Sequence, residues 1–355
     1  MKNNMINFGV ISCSVMARRH MEAICYNPNT NLVAVCDIQG SLAGNAAADF
    51  GVESWYTDYQ DLLKNGKIDA VVICTPDQMH REMTVAALAA GKHVLCEKPM
   101  ALTWEDCEAM INAADHSSAQ LMIGQICRYT PSFIQAKKMI ERGDIGELFF
   151  VESEYAHDYS EILKGTHEWR SDPLRHGFLG GGCHAVDLLR WIAGNPIEVT
   201  AYSNSKMLKT LATDDCTIAI MKFPNDVIGK VFVSTGCKRD YTMRSVFYGS
   251  KGTIIADNTS PYLTVYTVGE EGQERIDGME RFTVPVLYPV PLNNHNTAGE
   301  IEELANAILN GQKVATDVRE GAATVKTCLA AVRSTQTGLP QKLDGEGPVP
   351  GCRSI

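Results

Sequence analysis

A few short stretches of the chain carry residue types whose spacing could do chemistry. His184 and Asp187 follow a glycine run and stand three residues apart, on one face of a helix that opens there. A histidine titrates near working pH and suits proton transfer to or from a reacting group. A core histidine satisfied by Asp187 is the alternative. Near the start, Gly9-Val10-Ile11-Ser12-Cys13-Ser14-Val15-Met16-Ala17 occupies the place of a dinucleotide-binding turn, after an apolar run and before a helical stretch. The usual G-x-G-x-x-G/A becomes Ser12-x-Ser14-x-x-Ala17, so serine replaces two glycines that ease the turn and the approach of pyrophosphate. Asp37 ends the next apolar run about 20 residues on, where a carboxylate binds the adenosine ribose. Ser12, Cys13, Ser14, Val15, Met16, Asp37 and Ile38 are therefore cofactor-binding candidates. A strand–turn–helix that binds nothing is the competing reading.

Positioning these residues requires two kinds of architecture. Apolar runs at 6–11, 32–36, 70–74, 93–96 and 120–124 alternate with helical stretches at 15–26, 43–50, 81–90 and 104–116. That alternation predicts a doubly wound parallel sheet. After about residue 147 strands follow one another without helices, at 151–155, 199–203, 217–223, 230–235, 245–248, 252–256 and 263–267. These predict an α/β domain built on a large, open, mostly antiparallel sheet. Helices at 297–310 and 319–336 close the chain.

The 355 residues exceed the roughly 250–300 at which one core stops growing. We divide the chain into a nucleotide-binding domain, 1–125, and a substrate-binding and oligomerisation domain, 126–355. Apolar content of 45% with 21% charged residues is that of a globular protein. A net charge of −10 with no basic run argues against nucleic acid and anionic membrane surfaces as partners. Residues 1–7 do not read as a signal peptide, and no run approaches the roughly 18 apolar residues of a membrane span. Twelve scattered cysteines without a C-x-x-C pair predict free thiols in a reducing cytoplasm. His157, Asp158, His167, His176 and His184 crowd one segment without compact metal-ligand spacing, so no metal is expected.

The most specific motifs are Cys74-Thr75-Pro76-Asp77-Gln78-Met79-His80 and Ala90-Gly91-Lys92-His93-Val94-Leu95-Cys96-Glu97-Lys98-Pro99. They resemble the glucose–fructose oxidoreductase/inositol dehydrogenase family, Gfo/Idh/MocA. The resemblance runs nearly the whole chain, through Arg128-Tyr129, Trp169-Arg170, Gly181-Gly182-x-His184-x-x-Asp187 and the closing helices. It implies a Rossmann domain, then an α/β domain whose outer sheet face forms a homo-oligomer, dimer or tetramer. It implies that Thr75, Pro76, His80, Glu97, Arg128, Trp169 and Arg170 serve NAD, with Lys98 beside the nicotinamide. A partly buried lysine next to a cationic ring has its charged form disfavoured and can polarise or relay a hydroxyl proton. Glu97 either contacts the cofactor or hydrogen-bonds backbone and sets its loop.

By the same resemblance His184 is a base or substrate ligand, and Tyr155, His157, Asp158, Arg170, His176, Asp187 and Tyr241 are substrate-binding candidates. The family often carries an aspartate four residues before the histidine, where this chain has Gly180. Lys98 and His184 are left as the catalytic candidates, with His157 or Asp158 as substitutes. The missing side chain also suggests room for a bulkier substrate. The implied activity is hydride transfer between NAD and a secondary hydroxyl of a sugar, glycoside or cyclitol, with carbon three of a glycoside as the specific expectation. A glycosidase or lyase-pathway enzyme that oxidises transiently is the second possibility, and a non-enzymatic NAD-sensing regulator the third. Retention of Lys98 and His184 speaks against the regulator.

Asp37 would face the additional 2′-phosphate of NADP, and Ile38 rather than arginine follows it. NAD should therefore exceed NADP in kcat/KM by at least about tenfold, ~1.4 kcal/mol. Equal values for the two cofactors would remove Asp37 from that role.

Overall fold

The computed structural model describes residues 5–268 and 283–343. Two compact units emerge, one of residues 1–126 and 296–325, the other of 127–295 and 326–355.

In the first unit β1 (Ile6–Ile11), β2 (Thr30–Cys36), β3 (Ser54–Tyr56), β4 (Ala70–Ile73), β5 (His93–Cys96) and β6 (Leu121–Ile123) form one parallel sheet. Its order is β3-β2-β1-β4-β5-β6. All four residues of β4 are buried, as a parallel strand covered on both faces requires. Between the strands run α1 (Val15–Tyr26), α2 (Gly40–Phe50), α3 (Tyr59–Leu63), α4 (His80–Ala89) and α5 (Trp104–Asp115). Helix α1 turns Ala17, Met21 and Ile24 inward at helical spacing, and His20 goes with them. Thr103 caps α5 by accepting from the Asp106 N–H, with Glu105 and Asp106 in the first turn where the helix dipole favours acids. Strand order reverses between β1 and β4. Ligands of such sheets bind beyond the carboxyl ends of the strands at that switch point.

The second unit opens with α6 (Pro131–Glu141), β7 (Leu148–Ala156), α7 (Leu163–Arg170), α8 (Gly177–Gly180) and α9 (Cys183–Ala193). Strands β8 (Glu198–Asn204), β9 (Cys216–Lys222), β10 (Ile228–Ser234), β11 (Thr242–Gly249), β12 (Gly252–Asp257), β13 (Tyr262–Val268) and β14 (Thr283–Pro289) follow. The chain closes with α10 (Thr297–Asn310), α11 (Val318–Thr337) and β15 (Gln341–Lys342). The sheet order is β14-β13-β12-β11-β7-β10-β9-β8-β15, with β7 and β10 parallel and the remaining pairs antiparallel. Helix α9 packs on β7 and β10 and is buried from Cys183 through Arg190. The opposite face presents Tyr202, Ile218, Ile220 and Ile228, all exposed.

The division differs from the sequence-based one in the closing segment. Helix α10 packs on α1 and buries Ile301, Leu304 and Ala305, so 296–325 returns to the first unit. Strand β14 carries Pro285 and Pro289, residues that disfavour a central strand; it lies at a sheet edge, where missing N–H donors cost little.

Candidate functional site

The two serines that replace turn glycines are not equivalent. Ser12 follows β1 with φ 91°, the left-handed region that glycine enters freely and other residues reach only with strain. Ser14 has ordinary extended geometry and caps α1, its hydroxyl accepting from the Ala17 N–H. The Ser12 hydroxyl accepts from the Ser14 N–H at 3.2 Å. Asp37 is anchored on both oxygens, Oδ2 accepting from the Cys13 N–H at 2.8 Å and Oδ1 from the Gln39 N–H at 2.9 Å. Burial and the neighbouring Asp37 push the Cys13 thiol up to about 12, so it stays a small apolar group. Val15 and Ile38 hold large apolar side chains in the open, 75% and 88% exposed, and Met16 is half-buried.

Beyond β4, the Thr75 hydroxyl is buried without a hydrogen-bond partner among the described residues, with Pro76 exposed beside it. A helix N-terminus, an anchored carboxylate, exposed apolar side chains and an unsatisfied hydroxyl fit a dinucleotide at the strand ends. His80 acts one layer deeper than expected. Its ring is fully buried, with Nδ1 at 2.8 Å from the Pro99 carbonyl and Nε2 at 3.1 Å from the Thr75 carbonyl. Burial alone would lower its pKa, but Cys96, Asp77 and the Pro99 carbonyl outweigh it and push the value up to about 10. His80 thus ties the Thr75 and Pro99 loops together.

Glu97 is buried, and Oε1 lies 3.0 Å from His20 Nε2 while Oε2 accepts from the Lys98 N–H at 3.1 Å. Burial raises its pKa, yet the His20 hydrogen bond and the Lys98 charge overcome this and hold it below the usual glutamate range. Glu97 thus hydrogen-bonds the backbone of its own loop. His20, Cys74 and Glu97 bring one ligand-type atom each within 4.8 Å. Two of these residues, His20 and Glu97, are hydrogen-bonded to each other.

In the second unit His184, 3% exposed, stacks on Tyr155 with centroids 6.1 Å apart. The Tyr155 hydroxyl is 2.8 Å from that of Tyr159 and 3.4 Å from His157 Nδ1. Tyr241 packs against Tyr155, His157 and His295 at 5.6, 5.3 and 5.0 Å. Burial raises the Tyr155 and Tyr241 phenols well above their ordinary value, so they remain donors. The Arg170 guanidinium lies 5.3 Å from the Tyr159 ring centre and 4.2 Å from that of Trp169.

Five positions differ in setting from what the sequence suggests. Asp187, expected to bind substrate, is fully buried, and its two oxygens accept from Arg128 Nε at 2.8 Å and Nη2 at 2.6 Å. The same pair gives the Arg128 guanidinium, expected at the cofactor, a structural partner on α9. His176 serves as the cap of α8, Nδ1 accepting from the Phe178 N–H at 3.1 Å; burial lowers its pKa despite Asp214 nearby. Asp158 is held ionised, well below its ordinary pKa, by hydrogen bonds from Ser160 first and then Lys238, which removes it as a proton acceptor near neutral pH. Nor is there free room at Gly180, because a Cβ there would stand 2.6 Å from the guanidinium carbon of Arg175. Arg175 is 4% exposed and packs on Trp169 at 4.8 Å. Its guanidinium lies against the backbone of Gly180. Tyr159 and Arg175 stand in no motif and so escape a reading of the sequence; His20 and Glu300 escape it for the same reason.

Residues 6–125 match the oxidoreductase family with an NAD-binding Rossmann fold, Gfo/Idh/MocA, and residues 133–255 match its C-terminal domain. The chain belongs to the Gfo/Idh/MocA family. It is 28% identical to inositol 2-dehydrogenase of Rhizobium meliloti, over 93% of this chain and 96% of that protein. It is 26% identical to levoglucosan dehydrogenase of Pseudarthrobacter phenanthrenivorans, over 70% and 73%. A solved levoglucosan dehydrogenase in complex with NADH aligns at TM-score 0.85 and 25% identity, over 95% of this chain and 98% of that one. The first unit is accordingly an NAD-binding Rossmann domain.

The strain at Ser12 gives a direct test. Ser12→Gly should leave NAD affinity equal or better and raise stability by about 1 kcal/mol, the low end of such backbone strain. Ser12→Val should lose at least that much in chemical denaturation. A stability loss in the glycine variant would show that the serine hydroxyl, not backbone relief, governs this turn.

Proposed function

We propose that this protein transfers a hydride between NAD and a secondary hydroxyl of a cyclitol, sugar or glycoside. The observation that carries the reading is His184, a buried histidine at the head of α9, stacked on Tyr155 among phenols and imidazoles that suit a ligand bearing many hydroxyls. The names of the relatives, which act on inositol and levoglucosan, support the same substrate class.

When bound, NAD supplies the hydride acceptor; the chain must handle the proton and the geometry. Lys98 polarises the substrate oxygen, and His184 takes its proton as the hydride leaves. Tyr155 and Tyr241, held protonated by burial, donate hydrogen bonds to ring hydroxyls rather than accept protons. Arg170 and Trp169 offer a flat cationic and aromatic wall beside Tyr159. Oxidation at carbon three of a glycoside, giving a 3-keto sugar, rests on family resemblance and no longer on a widened pocket at Gly180.

We assign the exposed face with Tyr202, Ile218, Ile220 and Ile228 to contact with a second copy of the chain, because four large apolar side chains on adjacent strands need a cover. Among the described residues the cysteines are free, which supports a reducing cytoplasm, and no helix is long and apolar enough to cross a membrane.

Lys98→Ala and His184→Ala should each lower kcat by about 10²–10⁴ while NAD affinity changes little, measured by NADH formation across cyclitols, hexoses and glycosides. Near-full turnover in His184→Ala would move the base to His157. Turnover without net NADH would indicate transient oxidation with the cofactor restored in place.

A further inference from the structure

We propose that Glu300, acting through His20 and Glu97, is a positioning residue for Lys98 that keeps a proton and so limits the Glu97–Glu300 pair behind the nicotinamide end of the cofactor to one negative charge. The inference rests on the NAD reading above and adds a residue that no motif marks.

Glu300 comes from α10 and is completely buried. Neither carboxyl oxygen has a hydrogen-bond partner among the described residues, although Oε2 lies 3.9 Å from His20 Nε2. Glu97 meets the same nitrogen at 3.0 Å and accepts from the Lys98 N–H on its other oxygen. One imidazole N–H cannot satisfy two carboxylates, and two adjacent buried negative charges repel. One of the two acids must keep its proton. Hydrogen bonds choose between them: Glu97 has two and stays ionised, Glu300 has none. Burial first, then Glu97 and Glu303, push Glu300 well above the usual glutamate range, against the pull of Lys98. The titratable groups facing it are His20 on α1, Cys74 after β4, Glu97 and Lys98 after β5, and Glu303 on its own helix.

The consequence concerns cofactor balance. Oxidised nicotinamide is cationic and the reduced ring is neutral, so a fixed negative charge nearby favours the oxidised form. A single charge from Glu97 gives a moderate bias. Ionising Glu300 would add a second charge and tighten NAD+ relative to NADH, on the order of three- to tenfold for a partly screened interaction. The sign for folding is the reverse of that for Glu97. The folded chain keeps a proton that the unfolded chain releases, so the Glu300 contribution to stability is full below pH 4.5, its ordinary value, and falls as pH rises.

The test measures Kd for NAD+ and for NADH from about pH 6 to about pH 10, in the wild type and in Glu300→Gln, which is neutral at every pH. At the acid end the two proteins should show the same Kd(NADH)/Kd(NAD+) ratio. Wherever Glu300 ionises along this range, the wild-type ratio should rise three- to tenfold above that of the variant. A wild-type ratio already that far above the variant's at about pH 6 would show Glu300 ionised and overturn the proposal. Should Glu300→Gln fail to fold, NMR titration of carboxyl-labelled glutamates in the wild type decides: one carboxyl should titrate far above the others, and a set confined to the ordinary range would refute it. If neither nucleotide binds, the NAD reading falls and the charge-setting role with it, while the labelled carboxyl still reports whether Glu300 keeps its proton.

Discussion

A buried carboxylate must be surrounded by donors, and the first unit is organised around meeting that demand at Glu97. One donor is the imidazole of His20, which α1 can deliver only because its inward face tolerates a polar residue among Ala17, Met21 and Ile24. The other is the amide of Lys98, turned back onto the side chain of the preceding residue. Fixing Glu97 therefore fixes the backbone from which the Lys98 side chain starts. His80 completes the arrangement by bridging the Thr75 and Pro99 carbonyls, so both loops beyond β4 and β5 are held from beneath.

The second unit handles charge in the same way. Asp187 is paired with Arg128 in a two-point hydrogen bond, a geometry that specifies orientation more than it adds stability. That pair pins α9 and so holds His184 against Tyr155. Gly181 helps to seat the same ring. A Cβ there would stand 2.9 Å from Tyr155 Cζ, so only glycine lets the ring lie where it does. At Gly180 the Arg175 guanidinium occupies the ground next to the backbone. The local charge thus differs from that of family members with an aspartate at this point.

Much of this was legible in the sequence because it depends on local pattern. The alternation of apolar runs with helical stretches foretold the parallel sheet, and with it the place of Asp37 at the end of the second strand; the backbone donors that hold its carboxylate were not legible. Long strand runs after residue 147 foretold the second sheet. What escaped reading depends on contacts distant in sequence. Asp187 looked like a ligand because its spacing from His184 is local, whereas its partner Arg128 lies far upstream. Glu300 sits in an ordinary amphipathic helix, and nothing nearby announces that it will meet His20 and Glu97. The room inferred at Gly180 failed for the same reason, since a side chain from another segment can fill what a glycine leaves.

Hydride transfer from a carbinol carbon to the nicotinamide is the step on which everything else depends. The most direct measurement is a turnover with NAD and a substrate deuterated at its secondary carbinol carbons, followed by mass analysis of the reduced cofactor. One deuterium should move to the nicotinamide, and turnover should slow with the label. Oxidised product formed with no deuterium in the reduced cofactor would contradict hydride transfer.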